Sequence, residues 1–218
     1  MIVNMLVGGP VSQWPKWLAD HLAKEAPSEV WVGADYGAVT LAKCGISPIL
    51  SVGDFDSSTP VEIQLVKDRS KKSVIRPDKE DLTDTMLALR YVISDLKFDQ
   101  IIIYGATGAR LDQLLSNLYF VLLPEFRPYC EKITLVDQWN TVTFFLPGHH
   151  KVKKLPETRY LAFVCLNSVS DLHLYDAKYR LDGVDFDQPI SLSSNEFVGS
   201  STSFSFRNGV VCVIQSHD

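Results

Sequence analysis

The hydrophobic rhythm of this chain changes once, near residue 138, and that change limits what it can fold into. Up to about residue 135, short apolar runs alternate with stretches of helical period. The runs at 2–7, 30–33, 49–52, 73–75, 100–104 and 132–136 read as strands. Between them, Leu82, Met86, Leu89, Ile93 and Leu96 step by four, three, four and three, and Leu111, Leu115, Leu118 and Leu122 step by four, three and four. Each set makes one apolar stripe along a helix. Strand–helix alternation of this kind predicts a mostly parallel sheet with flanking helices.

Beyond residue 138 no helical stripe appears. Turn signals such as Pro147-Gly148 and Asn208-Gly209 separate short segments, and 160–165, 172–175 and 190–192 read as strands. STSFSF (201–206), RNG and VVCVI (210–214) together predict a β-hairpin closed by a type I′ turn. The expected architecture is therefore an α/β domain over residues 1–138 and a smaller all-β sandwich over 139–218.

Bulk properties narrow the function classes. With 218 residues, 46% of them hydrophobic, the chain is long enough to bury a sizeable core. A formal net charge of −5 argues against a nucleic-acid partner, because phosphate-backbone affinity needs clustered Lys and Arg. The opening MIVNMLVGGP lacks a basic n-region, and no apolar run approaches a membrane span, which predicts a soluble, cytoplasmic protein with no membrane partner. Cys44, Cys130, Cys165 and Cys212 form no C-x-x-C pair and are expected to be buried thiols rather than a zinc or redox site.

In an open parallel sheet, ligands bind beyond the carboxyl ends of the strands. Gly8-Gly9, Asp35, Asp54 with Asp56, and GATGAR (105–110) all fall there if the strands are as expected. Residues i and i+2 of an extended segment project to one side, so Asp54 and Asp56 are expected to face a common point. Asp81 and Asp84 of DKEDLTD begin the next helix, where the free N–H groups favour negative charge; N-capping is the structural alternative for Asp81 or Thr83. Clustered carboxylates need a proton or a cation. Hard oxygen ligands without nearby His or Cys suit Mg2+ held together with a nucleotide.

GATGARLDQ supplies the rest of a phosphate site. Gly105 and Gly108 permit close approach of backbone N–H groups after a strand, Arg110 can grip phosphate oxygens, and Arg110, Gln113 and Asn117 share a polar helix face. Neither G-x-x-x-x-G-K-[ST] nor G-x-G-x-x-G is present, and the G-x-S-x-G and H-E-x-x-H signatures are absent too. The basic stretch from Lys67 to Arg76 reads as a solvated face.

Taken in order, GADYGA (33–38), VGDFDS (52–57), D-x-T-D (81–84), GATGARLDQ (105–113) and SSNEF (193–197) resemble the bacterial form of thiamine pyrophosphokinase over essentially the whole chain. The resemblance implies an α/β catalytic domain, a β-sandwich and a homodimer with active sites between domains of neighbouring subunits. It implies transfer of the β,γ-diphosphoryl unit of ATP to thiamine, giving thiamine diphosphate and AMP with Mg2+. Asp54, Asp56 and Asp84 are then expected to hold the metal, and these with Asp81 and Arg110 form the catalytic set. Asp35, Gly105, Thr107, Gly108, Arg110, Asp112 and Asn117 are expected at the nucleotide, and Thr83, Ser194 and Asn195 at thiamine. Asp84 or Asp81 is the candidate proton acceptor.

The chain departs from the family pattern at Tyr36 and Ala109, where glycine is usual, at Gln113, often histidine, and at Glu80, commonly lysine. The rival readings are a Mg2+-dependent nucleotidyl- or diphosphotransferase acting on another small acceptor, and a non-catalytic binding module in which the acids are merely structural.

Overall fold

The computed structural model describes residues 1–24, 28–76 and 82–218, so Lys79, Glu80 and Asp81 lie outside the described residues. The chain divides into two compact units: Met1–Phe120 with Leu135–Gln138, and Val121–Thr134 with Trp139–Asp218.

The first unit is built on a parallel sheet. β1 (Ile2–Leu6), β2 (Trp31–Ala34), β3 (Leu50–Gly53) and β4 (Ser73–Ile75) are laid side by side in sequence order, and β5 (Gln100–Tyr104) returns to the other side of β1. β6 (Ile133–Val136) follows β5 in the strand order. The order therefore reverses between β1 and β5, and the crevice beyond their carboxyl ends is where a parallel sheet accepts ligands. The helices are α1 (Leu18–Lys24), α2 (Tyr36–Lys43), α3 (Pro60–Arg69), α4 (Asp84–Asp95) and α5 (Leu111–Tyr119). Thr59 starts α3 with a reciprocal capping box to Glu62. α2 lies close on the sheet, because a Cβ at Gly37 would fall 2.1 Å from the Leu6 carbonyl oxygen. Among the described residues, one buried cluster gathers around Trp14, Leu18, Trp31 and Tyr104, and another around Ala38, Val39, Phe55 and Val66.

The two expected helical stripes have different fates. In α4, Met86 and Leu89 are buried and Ile93 is half-buried, while Leu82 precedes the helix and Leu96 caps its end. In α5 the leucine stripe faces outward: Leu111 is 74% exposed and Leu115 48%, whereas Asn117 is 4% exposed.

The second unit is a sandwich of two antiparallel sheets. One has the order β12 (Ile190–Asn195), β9 (Tyr160–Cys165), β14 (Val211–Ser216), β7 (Asn140–Phe145); the other has β11 (Leu181–Phe186), β10 (Val169–Leu174), β13 (Ser201–Phe206), β8 (Gly148–Lys153). Leu161, Phe163, Val211 and Val213 from one sheet meet Leu172, Leu174, Phe204 and Phe206 from the other in a common core.

The expected hairpin does not form. β13 pairs with β8 and β10, and β14 pairs with β7 and β9 in the opposite sheet. Gly209 alone of the turn residues has positive φ, whereas a type I′ turn needs it at both central positions. Alternation records which side of a strand is apolar, and both strands face one core from opposite sheets. Cys130, Cys165 and Cys212 are buried as expected; Cys44, at the end of α2, is exposed.

Candidate active site

A cavity of about 440 Å³ opens in the first unit where the strand order reverses. Its lining comes from the carboxyl ends of five strands: Gly8 to Pro10 after β1, Asp35 after β2, Asp54 and Asp56 after β3, Arg76 after β4, and Gly105, Ala106 and Gly108 to Arg110 after β5. Leu82 to Thr85, at the start of α4, and Gln113 and Asn117 of α5 complete it. The loops after β1 and β5 cross with no room for side chains, since a Cβ at Gly9 would sit 2.0 Å from the Gly105 carbonyl oxygen. Gly105 and Gly108 both have left-handed φ, and so does Ala109, at 57°, a conformation that disfavours a side chain by about 1 kcal/mol.

Asp35, Asp54 and Asp84 each bring a carboxylate oxygen within 4.8 Å of the others. Asp56 lines the cavity beside them but is exposed, and its backbone N–H donates to Asp54 Oδ1 at 3.1 Å. The reason is local. β3 stops at Gly53 and Phe55 is left-handed with φ 54°, so Asp54 and Asp56 are not related by the pleat of a strand. Phe55 instead sends its ring into the core.

Like charge and burial leave their mark on the cluster. Burial first, then Asp35, Asp54 and Asp56, push the Asp84 carboxyl up to about 6. Asp35 is raised by burial, partly countered by the Tyr36 amide, and raised again by Asp54 and Asp56. Asp35 Oδ1 is buried with no hydrogen-bond partner among the described residues. An orphaned carboxylate oxygen in a group of three, with no thiol or imidazole among the described residues of the cavity lining, fits a hard divalent cation such as Mg2+.

The remaining residues expected in the first unit fall into two groups. Thr83 caps α4, its hydroxyl accepting from Met86 N–H, and also lines the cavity. Arg110 points along its own helix start and holds Asp112 through Nε at 3.1 Å and Nη2 at 2.5 Å, both side chains being exposed. This pairing raises Arg110 and lowers Asp112 relative to their ordinary ranges. Asn117 donates from Nδ2 to the Ala106 carbonyl at 2.8 Å and so pins the glycine loop. Thr107 lies outside the cavity lining, and its hydroxyl bonds the Asp137 carboxylate.

In the second unit Ser194 is exposed with φ 60°. Asn195, 3% exposed, spends its amide on main chain: Oδ1 accepts from Tyr179 N–H and Glu196 N–H at 2.9 Å each, and Nδ2 donates to the Tyr179 carbonyl at 2.8 Å. A Lys178–Glu196 ion pair at 2.7 Å laces the same two segments.

Comparison with known proteins bears on both units. Residues 20–132 match the family description "Thiamin pyrophosphokinase, catalytic domain", and residues 149–211 match "Thiamin pyrophosphokinase, vitamin B1 binding domain". The chain belongs to the thiamin pyrophosphokinase family. It is 32% identical to thiamine pyrophosphokinase of Bacillus subtilis (strain 168), covering 99% of each chain. A crystal structure of a thiamin pyrophosphokinase family protein from Enterococcus faecalis is 36% identical with a TM-score of 0.90, covering 100% of both chains. That of a protein from Lactobacillus plantarum is 47% identical with a TM-score of 0.89, covering 100% of this chain and 99% of that one. The thiamin pyrophosphokinase match to residues 149–211 contains Ser194, Asn195 and Tyr179, and the match to 20–132 contains the whole acid cluster.

Two residues escaped the reading of the sequence. Asp137, just beyond β6, anchors the glycine loop through Thr107, and nothing in ITLVDQWN singles it out. Arg76 falls in a basic stretch that reads as a solvated face, yet it lines the cavity. The rule that found the aspartates applies to it as well, because it directly follows the end of β4.

Proposed function

We propose that this chain is a Mg2+-dependent thiamine diphosphokinase, transferring the β,γ-diphosphoryl group of ATP to the hydroxyl of thiamine and releasing AMP. The observation that carries the reading is the convergence of Asp35, Asp54 and Asp84 at the point where the strand order reverses, in a chain of this family. Residues 1–138 carry the nucleotide chemistry and 139–218 the recognition of thiamine. Asp35, Asp54 and Asp84 are the residues that would hold Mg2+, with Asp56 at the outer edge of the group. Bound there, the ion would neutralise polyphosphate charge and polarise the phosphoryl group under attack.

The chain's own residues align and shield. Gly8, Gly9, Gly105 and Gly108 keep side chains away from the polyphosphate, so backbone amides can approach it. Asn117 and Thr107 fix the loop that does this, Arg110 and Asp112 stand at its exit, and Thr83 starts the helix that presents Asp84. Asp84, basic for a carboxylate in the metal-free cluster, is the candidate acceptor for the thiamine hydroxyl proton. A bound cation lowers that basicity, so alignment and charge neutralisation supply most of the rate.

Asn195 serves thiamine by holding the Tyr179 segment, and Ser194 presents its hydroxyl beside it. The protein acts as a cytoplasmic homodimer, a reading supported by the exposed apolar side of α5; among the described residues no helix is long and apolar enough to cross a membrane. Product analysis tests the reaction: thiamine-dependent release of AMP from ATP supports it, whereas release of diphosphate marks a nucleotidyltransferase.

A further inference from the structure

Arg76 and Tyr91 form a pair at the edge of the cavity that the family reading does not use. The Arg76 backbone N–H donates to the Gly53 carbonyl at 3.1 Å, which locks its start beside the strand end that leads into Asp54. Its side chain lines the cavity, and Nη2 donates to the Tyr91 hydroxyl at 2.9 Å in a part-buried contact. Tyr91 belongs to α4, the helix whose first residue is Asp84. The guanidinium is thus set by the same two elements that set the acids.

We propose that Arg76, oriented by Tyr91, is a phosphate-binding residue of this cavity, its ligand the polyphosphate chain of a nucleoside triphosphate. The proposal rests on the nucleotide reading given above. Charge favours such a residue. Among the described residues, Asp35, Asp54, Asp56 and Asp84 line the cavity against two arginines, Arg76 and Arg110. A polyanion entering there meets four carboxylates, and Arg110 is already gripped at two points by Asp112. A guanidinium carries five N–H donors in a rigid plane that matches phosphate oxygens two at a time. A bond from one nitrogen to a tyrosine hydroxyl fixes that plane, and so reduces the side-chain freedom lost when a ligand is gripped.

Titration calorimetry of the full chain in Mg2+ with three probes, ATP, inorganic tripolyphosphate and adenosine, tests this. For Arg76→Ala, ATP and tripolyphosphate should each bind about 10- to 100-fold more weakly, the range for losing a charge-assisted contact, with adenosine unchanged. Arg76→Lys keeps the charge without the fork and should recover part of the loss. Tyr91→Phe should weaken tripolyphosphate by a few-fold in the native background and not at all in the Arg76→Ala background, which a merely structural tyrosine would not do. In turnover, the ATP KM should rise in Arg76→Ala with the thiamine KM held within about twofold. Wild-type protein that binds ATP, beside a folded Arg76→Ala or Arg76→Lys protein that binds it equally well, overturns the role of Arg76 alone. Wild-type protein that binds neither ATP nor tripolyphosphate overturns the nucleotide reading and this proposal together. Equal losses for Tyr91→Phe in both backgrounds overturn the orienting role.

Discussion

The Thr107 hydroxyl donates to Asp137 Oδ2 at 2.6 Å, tying the glycine loop after β5 to the residue just past β6. Asp137 is only 8% exposed, so its carboxylate is a firm anchor for a loop whose Gly105, Gly108 and Ala109 have left-handed backbone. Neither side chain needs to touch phosphate for the pair to matter. Asp137→Ala and Thr107→Val should each raise the ATP KM roughly tenfold, the scale of one charge-assisted hydrogen bond, with the thiamine KM little changed. The double variant should be no worse than either single one, since both remove the same bond. Steady-state kinetics with ATP varied at saturating thiamine checks this, and additive losses would show that the two residues act separately.

Much of this arrangement is legible in the sequence, and the exceptions have physical reasons. The strands at 73–75 and 100–104 fall where expected, and Gly8, Asp35, Asp54 and Arg110 reach one cavity because the carboxyl ends of parallel strands share an edge. The α5 stripe was legible as a stripe but not as to which side faces in: Asn117 turns inward to bond Ala106, leaving Leu111 and Leu115 outside. Periodicity establishes two faces, and only the needs of the neighbouring loop select one. That Asp35 stands within 4.8 Å of Asp54 and Asp84 was hidden for a similar reason, because the left-handed turn at Phe55 ends the pleat on which the pairing of Asp54 and Asp56 relied. The hairpin at 201–216 failed because pairing partners lie far away in sequence, beyond the reach of local alternation.

Asn195 bonds the backbone of Tyr179 in both directions, which predicts an indirect role in thiamine recognition. Asn195→Ala leaves the Tyr179 and Glu196 N–H groups and the Tyr179 C=O without these part-buried bonds and should destabilise the second unit by about 1–3 kcal/mol. It should raise the thiamine KM while the ATP KM stays near wild type. Asn195→Asp retains the acceptor but sets a negative charge against the Tyr179 carbonyl, so it should recover little. Chemical denaturation alongside kinetics measures both effects.

Asp84 makes the site a source of instability until a cation arrives. Its folded-state pKa of about 6 lies above the ordinary 3.8, so the stability it supplies is full below about pH 4 and is lost as pH rises through 6. In metal-free protein at pH 7.5, Asp84→Asn should therefore raise the melting temperature by a few degrees, from about 1–2 kcal/mol after allowing for partial solvent screening. At pH 4 the difference should vanish. Mg2+ should raise the wild-type melting temperature and move Asp84→Asn much less. Thermal unfolding at the two pH values, with and without Mg2+, decides the sign.

The exposed side of α5, with Leu111, Leu115 and Tyr119, is the surface expected between two copies of the chain. Leu111→Glu combined with Leu115→Glu should shift the protein from dimer to monomer in sedimentation velocity without melting the first unit. A dimer that persists in the double variant would place the interface elsewhere.

The central claim is that Asp54 and Asp84 serve Mg2+-dependent diphosphoryl transfer, and product analysis tests it most directly. ATP and thiamine are incubated with wild-type, Asp54→Asn and Asp84→Asn proteins, with and without Mg2+, and AMP and thiamine diphosphate are quantified. The expected result is equimolar AMP and thiamine diphosphate from wild type only when Mg2+ is present, with both variants slower by at least about 10²-fold. Undiminished turnover in either folded variant, or ADP as the nucleotide product, would contradict it.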